Sequence, residues 1–318
     1  MLRSIHFFGL HIPMYSVMLV LGIIAFFALL FFFLKDLRRE DTVSFNRVLL
    51  VGCLSIVALG LFALLFNSLF HSIEKGRLVF GGITWLGGVA GALPSALILT
   101  HFLVPKRQGR ELETLDAMIP GLALGHAFGR VGCFLGGCCY GKITDSIFGV
   151  VFPVGSSAAK LYPNAAGTGS VPVLPTQLFE AVFELALFAL FMLLRRRVKG
   201  RFTELYAIFY GVFRFFMEFL RGDDRGATGL PISPAQMLSI LLIVFGVFII
   251  LMRRGVALKG LASRLAAWRE RADAMPIPTL DKPTDGTRLL WELHALKEQG
   301  VITEEEFEEK KKEILKRL

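Results

Sequence analysis

Two arginines inside otherwise apolar stretches are the residues best placed to do chemistry. Arg130 lies within the glycine-rich stretch GHAFGRVGCFLGGCCYGK, and Arg214 lies within the aromatic stretch YGVFRFFMEFLR. A guanidinium at membrane depth costs roughly 3 kcal/mol unless it is paired or hydrated, so two of them predict a polar cavity. A guanidinium can bind phosphate oxygens through two hydrogen bonds, and glycines allow close backbone approach. The pattern therefore predicts a site for a phospholipid headgroup.

Each arginine has a polar neighbour one helical turn away. Glu218 follows Arg214 by four residues, which places an ion pair within reach on one helix face. His126 precedes Arg130 by four residues and is a candidate to accept a proton near neutral pH. The alternative for His126 is a packing role, with its ring bonded to a backbone carbonyl. The sequence leaves both roles open.

The elements that must position these residues are membrane helices. Of the 318 residues, 54% are hydrophobic and 30 are phenylalanine, which excludes an ordinary soluble globule. Stretches of about 18 or more apolar residues are long enough to cross a bilayer as helices. They predict an all-α, polytopic fold with seven spans, at 13–34, 47–70, 82–104, 116–134, 174–194, 203–220 and 235–252. Glycines in the third and fourth spans predict segments that are bent, tightly packed or re-entrant.

The distribution of basic residues predicts the orientation of these spans. Lysines and arginines are concentrated in the first, third and fifth connections, so the positive-inside rule places the N-terminus outside and the C-terminus in the cytoplasm. The net charge of +9 then reflects topology, and anionic lipid headgroups are the expected counterpart rather than nucleic acid. This orientation places a set of polar residues in one outer layer: Tyr15, Arg130, Gln177, Arg214, Glu218 and Arg221.

Six segments carry a resemblance to a known family. The stretch GRVGCFLGGCCYG resembles the signature G-R-x-G-N-F-x-N-x-E of the bacterial prolipoprotein diacylglyceryl transferases. The stretch LPTQLFEA resembles the family's motif P-[ST]-Q-L-Y-E. Further segments agree in order and extend the resemblance over most of residues 1–255: PMYSVMLVLG, FGGITWLGG, YGVFRFFMEFLR and SPAQMLS.

The resemblance implies an enzyme of the bacterial cytoplasmic membrane. Such an enzyme moves the diacylglyceryl group of phosphatidylglycerol to the lipobox cysteine thiol of a lipoprotein precursor, and it needs neither a cofactor nor a metal. The implied catalytic residues are Arg130, Arg214, Tyr210 and Tyr15, with His126 as a candidate base. The implied substrate-binding residues are Gly132, Gly137, Gly141, Gln177, Glu218 and Arg221.

Several positions depart from the family pattern. The family's histidine in its H-G-G segment is Leu86 here, and two asparagines and a glutamate of the signature are Cys133, Gly136 and Cys138. The reaction therefore either uses other groups, with His126 as a substitute, or has changed. Two alternatives follow, namely a divergent paralogue that acts on another lipid or acceptor, and a non-catalytic lipid-binding scaffold.

The signature contains three of the four cysteines. Cys133, Cys138 and Cys139 form a C-x4-C-C cluster, whereas Cys53 lies alone in an apolar helix. The spacing is not a recognised zinc-finger pattern, so the sequence favours small packing residues over a zinc site, and a disulfide is a further alternative.

The chain changes character after the last span, which predicts three segments. Residues 1–255 form the transmembrane domain, and 256–285 are a basic amphipathic segment with a proline-rich linker. Residues 286–318 resemble the short C-terminal SHOCT-type domain and form a helical hairpin. Gly300 ends its first helix, and Thr303 with Glu306 makes a capping box for the second. The resemblance implies a protein partner or a homo-oligomer for this tail.

Overall fold

The computed structural model describes residues 4–7, 10–197, 200–223, 228–255, 285–298 and 300–317. The chain forms two units, Met1–Arg254 and Gly255–Leu318. The predicted amphipathic segment and linker fall almost entirely outside the described residues.

The first unit is a helical bundle preceded by a short antiparallel hairpin of β1 (Ser4–Phe7) and β2 (Leu10–Pro13). This hairpin is an addition to the predicted all-α architecture. Two short 3-10 turns, Pro105–Arg107 and Glu218–Leu220, interrupt the described connections. The helices are α1 (Met14–Phe33), α2 (Lys35–Glu40), α3 (Thr42–Lys75), α4 (Trp85–Leu103), α5 (Glu111–Gly136), α6 (Ser157–Leu161), α7 (Thr176–Leu194), α8 (Phe202–Met217) and α9 (Pro234–Arg253).

Six helices of the described chain are long and apolar enough to cross a membrane: α1, α3, α4, α5, α7 and α9. This confirms the predicted polytopic helical membrane protein. The sixth predicted span, 203–220, forms α8 and the 3-10 turn that follows it, and α8 itself has 16 residues. The number of seven spans and their orientation stay predictions.

Close glycine contacts set the packing of the bundle. The helix α1 packs on α5, α3 on α4, α5 on α7 and α8 on α9. A Cβ atom on Gly22 would lie 3.0 Å from the carbonyl oxygen of Gly125, so α1 and α5 meet backbone to backbone. A Cβ atom on Gly91 would lie 2.0 Å from Cγ of Phe62, which only glycine allows. The glycine-rich third and fourth spans are thus continuous, tightly packed helices.

A packed connection between α5 and α7 covers one end of the bundle. Its residues Tyr140, Phe152, Ala158 and Val173 form a small hydrophobic core of their own. The backbone N–H of Lys142 donates to the carbonyl oxygen of Leu220 at 2.9 Å, which ties the connection to the end of α8. The connection therefore fixes the ends of α5, α7 and α8 relative to one another.

The second unit contains α10 (Asp285–Glu298) and α11 (Glu304–Arg317), which pack as a hairpin. Gly300 has a φ of +69°, as expected for the residue that ends a helix. The backbone N–H of Thr303 donates to Oε2 of Glu306 at 2.9 Å, and the backbone N–H of Glu306 donates to Oγ1 of Thr303 at 3.3 Å. The predicted capping box is confirmed.

Candidate active site

The site is built on the second half of α5, where His126 and Arg130 lie one helical turn apart. Arg130 Nε donates a hydrogen bond to Nε2 of His126 at 3.0 Å, and both side chains are buried. The indole of Trp85 stacks on the imidazole of His126, with ring centroids 4.1 Å apart. The neighbouring helix α4 thus holds the imidazole plane, and the imidazole in turn orients the guanidinium.

Glu180 of α7 is the centre of the polar contacts. Its Oε1 accepts a hydrogen bond from Arg130 Nη2 at 2.8 Å and from the hydroxyl of Tyr210 at 2.9 Å. Nε of Arg214 lies 3.8 Å from the same oxygen. The two arginines, 84 positions apart in sequence (214 − 130), therefore meet at one buried carboxylate. This bears out the prediction that they share one polar environment.

Glu184, one turn further along α7, fixes the protonation of His126. Because Nε2 of His126 accepts from Arg130, a neutral imidazole carries its proton on Nδ1. That Nδ1 then donates to Oε1 of Glu184 at 2.8 Å. The hydroxyl of Tyr206 lies 3.5 Å from the same oxygen. Both ring nitrogens of His126 are engaged, which gives it a positioning geometry and replaces the predicted bond to a backbone carbonyl. We call His126, Arg130, Glu180, Glu184, Tyr206, Tyr210 and Arg214 the arginine network.

Arg214 is held from two sides. Its Nη2 lies 2.7 Å from Oε2 of Glu218, which confirms the predicted pairing between these residues. Its Nη1 is buried and has no hydrogen-bond partner within the described chain. This N–H can donate to water or to an acceptor on a ligand.

A cavity of about 550 Å³ opens beside this network, between α1, α3, α4 and α5. Most of its wall is apolar, with side chains such as Leu19, Phe26, Leu59 and Leu93. Ser55 of α3 is one polar residue of the wall, and the other polar or titratable side chains that line it are Tyr15, Trp85, His126, Arg130, Cys133, Cys138 and Cys139. Such a division of polar and apolar wall suits an amphiphile, with the headgroup at Arg130 and an acyl chain along the groove.

The remaining predicted residues have contacts that are mostly internal to the protein. Nε2 of Gln177 donates to the carbonyl oxygen of Cys138 at 2.7 Å, and its Oε1 is buried without a partner in the described chain. Arg221 forms a two-pronged pair with Asp223, with both distances 2.8 Å. Its role in substrate binding stays a prediction.

The three predicted glycines serve close packing. A Cβ on Gly132 would lie 3.2 Å from Cδ2 of Tyr15, and one on Gly141 would lie 2.7 Å from the carbonyl oxygen of Leu220. Gly137 has a φ of +69° and ends α5. Their backbone approach is to other protein segments, and contact with substrate stays a prediction.

Sequence reasoning missed Glu180, Glu184, Tyr206 and Trp85. A signal for the glutamates was present, because Gln177, Glu180 and Glu184 recur at spacings of three and four in an apolar helix, which places them on one face. An acidic side chain within a membrane span is rare and functional by default, so this face was as informative as the arginines.

Comparison with known proteins found matches to both the transmembrane part of the chain and its tail. The family model described as prolipoprotein diacylglyceryl transferase matches residues 3–252, and that of the short C-terminal domain matches residues 292–315. A phosphatidylglycerol–prolipoprotein diacylglyceryl transferase 2 of Clostridium perfringens is 35% identical in an alignment of 257 positions that covers 76% of this chain and 91% of the relative. The phosphatidylglycerol–prolipoprotein diacylglyceryl transferase of Clostridium tetani is 32% identical over 76% of this chain and 93% of its own length. One from Dehalococcoides mccartyi is 32% identical over 75% of this chain and 88% of its own length.

Proposed function

The chain belongs to the prolipoprotein diacylglyceryl transferase family, and we propose that it transfers the diacylglyceryl group of phosphatidylglycerol to the lipobox cysteine thiol of lipoprotein precursors. The observation that carries the proposal is the meeting of Arg130 and Arg214 at Glu180, with Arg130 on the polar wall of an otherwise apolar cavity. A phospholipid has this distribution of charge and apolar surface.

The arginines would act on the phosphate. Attack of the thiol sulfur forms a C–S bond at the glyceryl carbon and breaks its C–O bond to phosphate. Glycerol-1-phosphate leaves with the electron pair, and the thiol proton passes to water or to the released phosphate. Negative charge builds on the departing phosphate, and preorganised guanidinium donors stabilise such charge strongly. Arg130 on the cavity wall and the unpaired Nη1 of Arg214 are the donors that we assign to it.

Glu180 and His126 would keep these donors in place. The carboxylate of Glu180 offsets the mutual repulsion of two buried guanidinium groups, and Tyr210 donates to the same oxygen. Since both nitrogens of His126 are engaged, we assign it to the orientation of Arg130 rather than to removal of the thiol proton. Tyr15, which lines the cavity, is assigned to contact with the lipid.

A purified-protein assay tests the proposal. Full-length protein in detergent is incubated with a lipobox peptide and phosphatidylglycerol, and the peptide is analysed by mass spectrometry. We expect the mass of one diacylglyceryl group to be added. Arg130→Ala and Arg214→Ala should each lower the rate by at least about 100-fold. Arg196→Ala removes an exposed arginine of the connection after α7 and is the matched control. An unmodified peptide with correctly folded protein would refute the proposal and favour a lipid-binding scaffold.

One observation favours a divergent paralogue as the second candidate. Leu86, at the position of the family's histidine, is 2% exposed and part of the main hydrophobic core. The same assay with phosphatidylethanolamine and phosphatidylserine as donors separates the two candidates. Activity with another lipid alone, or activity with phosphatidylglycerol that appears only after Leu86→His, would favour the paralogue.

The chain is a multi-pass membrane protein. We further propose that it lies in the bacterial cytoplasmic membrane with its tail in the cytoplasm, where α10 and α11 bind a protein partner or a second copy of the chain. Labelling of single cysteines introduced at Ser146 and at Glu305, from outside intact cells, tests the orientation. Only the cysteine at Ser146 should react.

A further inference from the structure

Three thiols converge where α5 ends. Cys133 lies in the last turn of α5, and Cys138 and Cys139 follow the left-handed residue Gly137. Cys139 itself has a φ of +63°, a conformation that is uncommon outside glycine. This turn brings the three Sγ atoms within 4.8 Å of one another. Residues that are up to six positions apart in sequence thus present their sulfurs to one point.

We propose that Cys133, Cys138 and Cys139 form a binding site for a soft d10 metal ion such as Zn²⁺, at the polar wall of the lipid cavity. Zinc bonds thiolate sulfur at about 2.3 Å, so in a tetrahedral site two sulfurs lie about 3.8 Å apart. The thiols need to close by no more than about 1 Å to reach that spacing. Binding releases one proton from each thiol that becomes a ligand.

The surroundings favour a metal over simple packing. Cys133 is buried, but Cys138 and Cys139 are only partly buried, and all three line the cavity. The three cysteines therefore do not fill a closed core. This differs from the packing role that the sequence favoured. The ligand set is all sulfur, which selects thiophilic metals over magnesium or calcium. Three protein ligands leave a fourth position for water or another ligand, as in open zinc sites.

The positive charge of Arg130 offsets part of the charge of a metal-bound cluster, and Glu180 pairs with the same guanidinium. Three thiolates and one Zn²⁺ carry a net charge of −1. The positive charge of Arg130 acts on Cys133 and Cys139. The metal–thiolate cluster would interact with Arg130, the same guanidinium that the proposed transferase directs at a phosphate. The metal site is nevertheless measured without lipid or peptide, so its test is independent of the transferase assay.

The test is a metal titration of the full-length protein in detergent. The protein is reduced with a phosphine, which does not compete as a thiol, and Zn²⁺ is titrated against a coloured chelator. Cd²⁺ is titrated in parallel, because its thiolate bonds absorb in the ultraviolet. We expect one ion per chain. Loss of a ligand in Cys133→Ser or Cys138→Ser should weaken metal binding by at least about 100-fold. Even replacing a residue that only hydrogen-bonds to a metal ligand lowers the affinity by about 10- to 100-fold.

Cys53→Ser is the matched control, since Cys53 is exposed on α3 and distant in sequence from the cluster. Thermal unfolding and gel filtration check the fold of each variant, and Cys139→Ser replaces Cys133→Ser if the buried change prevents folding. The proposal is overturned by absence of binding in the wild type, or by binding that survives loss of a cluster cysteine in a folded variant. Equal loss in Cys53→Ser also overturns it. So does a disulfide within the cluster, found by alkylation and mass spectrometry of freshly isolated protein.

Discussion

Two buried charged clusters lie near opposite ends of α5, and they use similar residues differently. The arginine network contains Arg130, whereas the second cluster contains Asp116, about 21 Å away along the helix at 1.5 Å per residue (130 − 116 = 14 residues). Oδ1 of Asp116 accepts from the backbone N–H and the hydroxyl of Thr203, at 2.8 and 2.6 Å. Its Oδ2 accepts from Arg253 Nη2 at 2.7 Å, and Nε of Arg253 lies 3.3 Å from Glu204. We call these four residues the aspartate clamp.

The difference between the clusters is access to the cavity. Asp116 joins α5 to the start of α8 and to the end of α9, and none of the clamp's four residues lines the cavity. In the arginine network two cations converge on one carboxylate, and Arg130 and His126 line the cavity. Burial of charge therefore does not by itself identify a functional site. A charge that is buried against protein but open to a ligand cavity is the more specific sign.

The largest contrast is expected between Glu180→Gln and Glu204→Gln. Loss of the Glu180 charge leaves two buried guanidinium groups without their shared counterion and displaces the donors to the phosphate. We expect transfer to the lipobox peptide to fall by at least about 100-fold. Glu204→Gln should stay within about twofold, since its partner Arg253 also holds Asp116. Equal losses in both variants would show that the two clusters are not functionally distinct.

A smaller contrast is expected between Arg130→Lys and Arg253→Lys. Lysine keeps the charge but cannot contact His126 and Glu180 through two fixed nitrogens as Arg130 does. Loss of one charge-assisted hydrogen bond, about 1.5–3 kcal/mol, predicts a rate reduction of about 10- to 100-fold. Arg253→Lys should leave the rate per folded molecule unchanged. A fully active Arg130→Lys variant would mean that charge alone suffices at this position.

The role of His126 is tested by His126→Gln, which can retain an acceptor near the position of Nε2. If His126 orients Arg130, the rate should fall by no more than about 10-fold, the worth of one hydrogen bond, and the pH profile should keep its shape. If His126 is the base, the rise of rate with pH that it causes should vanish in the variant. The rate from pH 5 to pH 9 distinguishes the two outcomes. A changed profile would assign chemistry rather than positioning to this side chain.

The smallest effect on transfer is expected for Asp116→Asn. The amide can keep the acceptor for Thr203 but loses the ion pair with Arg253, whose side chain is 23% exposed. We expect the free energy of unfolding to fall by roughly 1–2 kcal/mol, measured by thermal unfolding, with an unchanged rate of transfer per folded molecule. Asp36→Asn, on the surface helix α2, is the control for the loss of an acidic charge. A large loss of rate in folded Asp116→Asn would break the distinction between clamp and network.

The sequence by itself determined the features that depend on neighbouring residues. Apolar runs predicted the helices, because a spanning segment must satisfy its backbone internally and be apolar along its whole length. The capping box at Thr303 and the pair of Arg214 with Glu218 involve residues three or four apart, and both are present. The shared environment of Arg130 and Arg214 was predicted from depth alone, since both had to escape the same lipid.

Only the tertiary structure decided which groups meet. Glu180 is 50 residues from Arg130, and Arg253 is 137 residues from Asp116. Depth in the membrane does not specify how each helix is rotated about its own axis. That rotation is set by contacts such as Gly22 on Gly125, where two backbones touch and so fix which side chains face each other. The hub at Glu180 and the meeting of three thiols follow from those rotations and from the turn at Gly137.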